Sequence, residues 1–414
     1  MEEILLDNKD ELNSIVDENT EVSIVEEVSP QNFDKGLPVD ASKGIPEKMK
    51  AKMILEVPPE PTLDSKKVLF FISDNAGCGW YRGRQPAKYI NTTYKDRYNL
   101  SITNYMSPKE WGNFEKPKYD LFIHQRQYNE PNHKNMIYVR DTLKVPQCYE
   151  IDDDLFHISP KSSAYHAFNS GENRHRLSAV AEYIRKIDYL TVSTEPLMDL
   201  YSQYKSMDKI FVVPNAIDLE LFSEKHVKTN DDYEKKEIII GWTGSNTHHS
   251  DIAIIDSAIT QVVNSHPNVK LLIGGWDDCP FFKNIPKEKK IKAPWTKSMD
   301  EYVGMISKID IAVCPLEDTV FNRGKSNLKV MEAMSLGIPV VASNVFPYGQ
   351  TIINNENGKL VKPRHHKWVK ALEELLLDVE MRKSFGKSGR KLIQEKYDQK
   401  NVSKEWCDIY DKIT

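Results

Sequence analysis

The sequence predicts an α/β fold in which two open, parallel-sheet domains follow one another and face across a cleft. Short continuous apolar runs such as "KKVLFFIS", "DYLTVSTE" and "IPVVASNV" alternate with segments of helical apolar spacing, the texture of parallel strands covered by helices. The alternation runs twice, over residues 65–215 and again over 236–397, with a polar, charged linker at 216–235. The 414 residues leave room for two medium domains, each with its own core.

Residues 1–64 stand apart. Glu2 to Glu27 holds ten carboxylates and one lysine, and a Pro-, Lys- and Glu-rich stretch follows. Such a segment buries too little apolar surface to offset its ordering entropy, so a disordered acidic tail is expected. Within it, "ILLDNKDELNSIV" has the spacing of a short amphipathic helix, a candidate for binding a protein partner.

In the first domain, "KKVLFFIS" is a strand that ends in the glycine turn "DNAGCGW", and "YRGRQPAKYINTTY" is a loop entering a helix. "YDLFIHQRQ" is a strand with a polar exit, and "VPQCYEIDDD" a strand that leaves through three carboxylates. "HRLSAVAEYIRKI" is helical, and "DYLTVSTE" and "KIFVVPNAI" are strands. In the second domain, "EIIIGWTGS", "VKLLIGGW", "DIAVCPLE" and "IPVVASNV" are strands separated by helical segments. Two helices follow in "HHKWVKALEELLLDVEMRKSFGKSGRKLIQEKY", and a last one occupies 398–414. Ligands of such sheets sit beyond the carboxyl ends of the strands.

Composition narrows the function. The chain is 40% hydrophobic and 28% charged, with a net charge of −5, so no global basic field invites nucleic acid or an anionic membrane. Five scattered cysteines offer neither a disulfide framework nor zinc-ligand spacing. No apolar run reaches the ~18 residues of a membrane span, and the acidic N-terminus is unlike a signal peptide. A cytoplasmic location is therefore expected.

The stretch "FNRGKSNLKVMEAMSLGIPVVASNV", Phe321 to Val345, carries the most chemistry. A helix starting near Ser326 sets Lys325, Lys329 and Glu332 along one face and Leu328, Met331 and Met334 on another. Gly337 ends it, and a strand follows. A helix N-terminus attracts anions, and Lys325 and Ser326 add a cation and a hydroxyl. Glu332, about two turns on (~9–10 Å by the helical rise), suits ribose hydroxyls. Spacing alone fits equally a solvated, salt-bridged face.

"PLEDTVFNRGKSNLKVMEAMSLGIPVVASNV" resembles the nucleotide-sugar signature of retaining GT-B glycosyltransferases of the family 4 type. "VVPNAIDLELF" is similar to that family's interdomain crossover, and "GKLVKPRHHKWVKALEELLLD" and "SFGKSGRKLIQEKY" extend the likeness over roughly 65–414. The resemblance implies two Rossmann-like domains, the GT-B fold, with the nucleotide-diphosphate sugar on the second and the acceptor approaching from the first. It also implies that the final helix crosses back to the first domain. Glu332 matches the second of the family's two glutamates; Gly324 stands where the first is found, with Glu317, Asp318 and Asn322 as candidate replacements. Donor-binding residues implied on the second domain are Gly244, Ser245, Asn246, His248, Trp295, Lys325, Ser326, Asn327 and Glu332, with His249 also in the loop.

On the first domain, Gly77 and Gly79 occupy the place of the family's glycine loop and either admit donor sugar or phosphate closely or simply make a tight turn. Arg82 and Arg84 are candidate ligands of a phosphate or an anionic acceptor, or surface arginines. Asp152 stands where the family has a site histidine. Asp152 and Asp153, with Lys325 and Glu332, are the catalytic candidates; the alternative for Asp152 to Asp154 is that they cap a helix or solvate a loop. The trio also fits a D-x-D pattern for Mg²⁺ or Mn²⁺, but the nucleotide is expected on the other domain, and no metal or cofactor is expected where Lys325, the helix N-terminus and the 244–249 loop suffice for the diphosphate. His124 is either a site residue or a hydrogen-bonded structural one. Trp242, Trp276 and Trp295 line the cleft or pack in the core. The implied activity is transfer of a sugar to a hydroxyl acceptor of unknown class. Alternatives are a nucleotide-sugar epimerase of the same architecture and a non-catalytic sugar-nucleotide-binding protein. A nucleic-acid acceptor has only the local Arg82, Arg84, Lys88 cluster in its favour.

Overall fold

The computed structural model describes residues 55–58, 64–75, 77–105, 117–276 and 278–414. The acidic segment 1–54, and with it the expected partner-binding helix, lies outside the described residues.

Two sheets dominate. The first takes the order β1-β3-β2-β4-β5-β6-β7, from β1 (Leu55–Glu56), β2 (Lys66–Phe71), β3 (Tyr98–Thr103), β4 (Leu121–Gln125), β5 (Gln147–Ile151), β6 (Tyr189–Val192) and β7 (Ile210–Val212). All neighbours are parallel except β1, which runs antiparallel to β3. The second sheet is wholly parallel, in the order β10-β9-β8-β11-β12-β13. Its strands are β8 (Ile238–Thr243), β9 (Val269–Gly274), β10 (Lys290–Ala293), β11 (Ile311–Cys314), β12 (Val340–Ser343) and β13 (Lys359–Val361). The apolar runs are continuous because central parallel strands are covered on both faces; β4, β5, β11 and β12 are buried throughout.

Strand order reverses between β2 and β4 in the first sheet and between β8 and β11 in the second. These are the switch points where open α/β sheets leave a crevice.

One boundary differs from the sequence reading. Leu55–Glu56, taken as tail, pairs with Thr103 and Ile102 as an edge strand. The polar 216–235 linker is packed: Phe222 and Tyr233 are buried, and Thr229 closes a capping box on the Asn230–Glu234 helix. The chain crosses between domains twice, side by side, where Ile217 bonds through its backbone to Tyr397 and Gln399. The Gln399–Ile413 helix then lies on the first domain, burying Val402, Trp406, Tyr410 and Ile413 against Val68, Phe70 and Leu100. Among the described residues no helix is long and apolar enough to cross a membrane.

Candidate active site

The second domain's contribution starts where β11 ends. Thr319 caps the Val320–Gly324 helix by accepting from the Asn322 amide at 3.1 Å. Lys325 is extended, Asn327 is the N-cap, and the next helix runs Leu328–Ser335. Its start is two residues later than expected, so Lys325 is not part of the helical face. Glu332 sits about one turn inside, ~6 Å along the axis rather than the two turns expected.

Glu332 is 2% exposed. Its Oε1 accepts from the Tyr81 hydroxyl at 2.7 Å and its Oε2 from the Tyr302 hydroxyl at 2.9 Å. Lys329 Nζ lies 2.9 Å from the Tyr302 oxygen and 3.5 Å from Glu332 Oε2. The Lys329–Glu332 pair therefore faces inward, which rules out the solvated salt-bridged face. Burial and the neighbouring carboxylate raise the Tyr302 phenol to about 12 and hold that of Tyr81 well above its usual value. Both hydroxyls are donors at neutral pH. A cavity beside this network is lined by Trp242, Thr243, His248, Cys314, Lys329 and Glu332.

Lys325 Nζ rests 4.4 Å over the Phe321 ring and 3.6 Å from Asp153 Oδ2 of the first domain. Ser326 Oγ accepts from Asn215 Nδ2 at 2.9 Å, leaving its own proton free to donate. Asn327 Nδ2 is engaged by Thr351 Oγ1.

In the loop after β8, the Gly244 amide donates to the Gly274 carbonyl at 2.9 Å, and the Ser245 and Thr247 hydroxyls meet at 2.6 Å. Asn246 Oδ1 accepts from Ser163 of the first domain at 3.0 Å. His248 Nδ1 is 2.8 Å from Asp251 Oδ2. Burial holds its pKa below the usual value against the pull of Asp251, and Lys325 and Lys329 push the same way as burial. The ring is therefore neutral at pH 7. With Nδ1–H given to Asp251, Nε2 is an acceptor, so His248 donates to a phosphate only after taking up a proton. His249 turns away and packs on Phe281 at 4.8 Å.

Of the three tryptophans, Trp242 and Trp276 are buried and Trp295 is 57% exposed. The Trp295 indole lies on Gly275, which has φ +84°; a Cβ there would lie 2.9 Å from the Gly244 carbonyl oxygen and 3.2 Å from the indole. The exposed ring thus borders the Gly244 loop.

The first domain corrects several expectations. Arg82 is 1% exposed. It pairs with Glu150 at 2.7 Å, donates to the Val213 carbonyl and Asn215, and stacks 5.0 Å over Trp406. It binds no substrate phosphate from there; it holds Asn215, which holds Ser326. Arg84 bonds Glu56 at 3.0 Å and Asn75 at 3.1 Å, tying the edge strand rather than facing the cleft. His124 is fully buried, stacked on Phe71 and bonded to Gln147 at 2.8 Å. Desolvation lowers its pKa to about 4, so it is a neutral structural residue. Gly79 is required by its own turn, since a Cβ would sit 1.9 Å from the Asp74 carbonyl oxygen, whereas Gly77 faces open space.

The three aspartates after β5 diverge. Asp154 is a capping residue, accepting from the Phe156 and His157 amides and pairing with the His157 ring. Asp152 faces Arg126 at 3.5 Å, and Asp153 faces Lys325. Arg126 was not anticipated. It follows β4 directly at the switch point, has φ +47°, and sets its guanidinium 3.2 Å from Cys78 Sγ. A non-glycine residue in the left-handed region is an outlier of the kind that gathers at functional sites. The sequence signal was no more than an arginine just past an apolar strand.

Of the candidate replacements for a carboxylate at 324, Asn322 is buried and bonded to Asp251 and the Glu317 carbonyl. Asp318 is bound by Arg323 at the surface.

Residues 224–392 match the family described as glycosyl transferases group 1. Two curated relatives align over similar lengths. The capsular polysaccharide biosynthesis glycosyltransferase CapM of Staphylococcus aureus is 24% identical over 209 residues, covering 47% of this chain and 52% of CapM. The uncharacterized glycosyltransferase MJ1607 of Methanocaldococcus jannaschii is 24% identical over 216 residues, covering 49% and 54%. The chain thus spans about half the length of the curated relatives it matches. Solved structures match over both domains. Sucrose-phosphate synthase of Thermosynechococcus elongatus has a TM-score of 0.59 at 15% identity, covering 84% of this chain and 98% of that one. HepE of Anabaena, solved in complex with UDP and glucose, has a TM-score of 0.60 at 12% identity, covering 84% and 99%. The two-domain architecture is therefore the GT-B fold.

Proposed function

We propose that this chain, which has the GT-B fold and carries a group 1 glycosyl transferase domain at 224–392, transfers a sugar from a nucleotide-diphosphate donor to a hydroxyl acceptor. The observation that carries the reading is the placement of Lys325 and Ser326 just before, and Lys329 within, the first turn of a helix whose Glu332 is an inward-facing carboxylate. A diphosphate at that helix start meets two ammonium groups, a hydroxyl and the amide end of the helix dipole. Glu332 accepts from the ribose hydroxyls, and Trp295 with the adjoining backbone borders the base. Uridine donors come first because HepE, of the same fold, was solved with UDP and glucose.

In the reaction the bond from the anomeric carbon to the β-phosphate oxygen breaks, and the electron pair leaves with the diphosphate. The acceptor oxygen bonds to that carbon, and its proton passes to the leaving phosphate, consistent with retention of configuration. Lys325 and Lys329 stabilise the growing negative charge, and no metal is required where those cations suffice. The acceptor approaches along the switch point of the first sheet, beside Arg126 and Asp152. A nucleic-acid acceptor loses its support, since Arg82 and Arg84 are committed internally and Lys88 is paired with Asp218 and Glu220. Five free cysteines suit a reducing, cytoplasmic setting.

The test is a panel of UDP-, GDP-, ADP- and dTDP-sugars, with and without hydroxyl acceptors, read as released nucleotide. One donor class is expected to turn over, and Lys325→Ala and Glu332→Ala to lower kcat/KM by about 10²–10³. Equal turnover by both variants and the wild type would contradict the assignment. Acceptor-independent conversion of the sugar nucleotide would mark an epimerase.

A further inference from the structure

We infer that Asp153 of the first domain supplies the carboxylate that grips the donor's sugar ring, a proposal that rests on the donor assignment above. Its Oδ2 lies 3.6 Å from Lys325 Nζ across the cleft, with the two side chains 26% and 24% exposed. When a diphosphate takes Lys325, Asp153 loses its counter-ion and faces the group bonded to the β-phosphate, the sugar. Ring hydroxyls are donors, and an ionised carboxylate oxygen is a strong acceptor for them.

Asp153 is held for this role. Its carbonyl accepts from the Tyr201 hydroxyl at 2.8 Å, and its Oδ1 accepts from the Asp154 amide at 3.3 Å. Oδ2 is left to point across the cleft. Asp154 in turn fixes the loop by capping it, so the carboxylate is preorganised rather than carried on a free loop.

Among the described residues, Asp153 is the carboxylate paired with Lys325. At Gly324, one residue before Lys325, a Cβ would lie 2.9 Å from Leu197 Cδ2 and 3.6 Å from Asp154 Cβ. The Gly324 carbonyl also accepts from Thr194 Oγ1 at 2.8 Å. The Leu197 side chain on the Glu195–Tyr201 helix of the first domain thus crowds a side chain at 324. Asn322 and Asp318 are turned to other partners. The carboxylate beside Lys325 therefore comes from the opposite wall, and the sugar contact is made only when the two domains meet.

The experiment uses the full chain and its Asp153→Asn and Asp153→Ala variants. The probes are UDP, GDP and ADP, their glucose conjugates, and conjugates lacking one ring hydroxyl. Nucleoside diphosphate affinity is expected to hold or rise, because Asp153 no longer competes for Lys325. Turnover of the intact donor should fall at least 100-fold, and the preference for it over at least one deoxy-sugar donor should disappear. A purely structural Asp153 would lower all donors alike and leave that preference intact, which would overturn the proposal, as would wild-type kcat/KM in Asp153→Asn. Failure of the wild type to bind any of the three diphosphates would sink the donor assignment and this proposal together. That result is distinguishable from diphosphate binding with unchanged sugar selectivity, which removes this proposal alone.

Discussion

The Tyr81 hydroxyl, on the first domain, donates a 2.7 Å hydrogen bond to the Glu332 carboxylate of the second. With Tyr302 on the other oxygen, Glu332 is 2% exposed while the domains touch. A ribose that uses Glu332 must displace Tyr81, which requires the cleft to open and close around the nucleotide.

Tyr81→Phe removes this competition while keeping the ring that packs between the domains. Nucleoside diphosphate should bind about threefold to tenfold more tightly, the range expected for losing one competing hydrogen bond. Titration calorimetry measures it. Unchanged affinity would mean that ribose and Tyr81 do not share Glu332.

Arg82 and Glu150 form an ion pair with side chains 1% and 0% exposed. Burial raises the Glu150 pKa from 4.5 to about 7, against the pull of Arg82. The folded value lies above the unfolded one, so the native state binds the proton more tightly. The stability this contributes is fully present below about pH 4.5 and is lost as pH rises through about 7. Denaturation across that range should show Glu150→Gln with a flatter pH dependence than wild type. Arg82→Met should destabilise increasingly with pH, by about 3–5 kcal/mol once Glu150 is ionised.

Much of the fold was legible because central parallel strands must be apolar throughout. "VLFF" and "PVVAS" announce β2 and β12 without any partner information. The edge strand Leu55–Glu56 was missed because two residues in a Pro- and Glu-rich stretch have no periodicity to detect. At the site, the spacing of Lys329 and Glu332 was readable, but the helix start was misjudged because Asn327, its N-cap, makes no side-chain capping bond. Arg82 looked like a surface arginine because its partners Glu150, Asn215 and Trp406 come from three distant segments. Arg126 gave little local signal, since its partners Cys78 and Asp152 come from other segments.

The last helix should hold the first domain together. Trp406 is 1% exposed, packed under Arg82 and against Tyr410. Trp406→Ala should cost about 3–5 kcal/mol, read as a fall in Tm. Ligand contacts on the second domain should survive in the fraction that stays folded. A Tm unchanged from wild type would show that the helix merely rests on the surface.

The central claim is that the start of the Leu328–Ser335 helix takes the diphosphate while Glu332 takes the ribose. The most direct measurement is a crystal structure of the full chain with UDP or another nucleoside diphosphate that it binds. The account predicts phosphate oxygens within hydrogen-bonding distance of Lys325 Nζ and Ser326 Oγ, ribose hydroxyls on Glu332, and Tyr81 moved off that carboxylate. A nucleotide seated elsewhere, with the Tyr81–Glu332 bond intact, would contradict it.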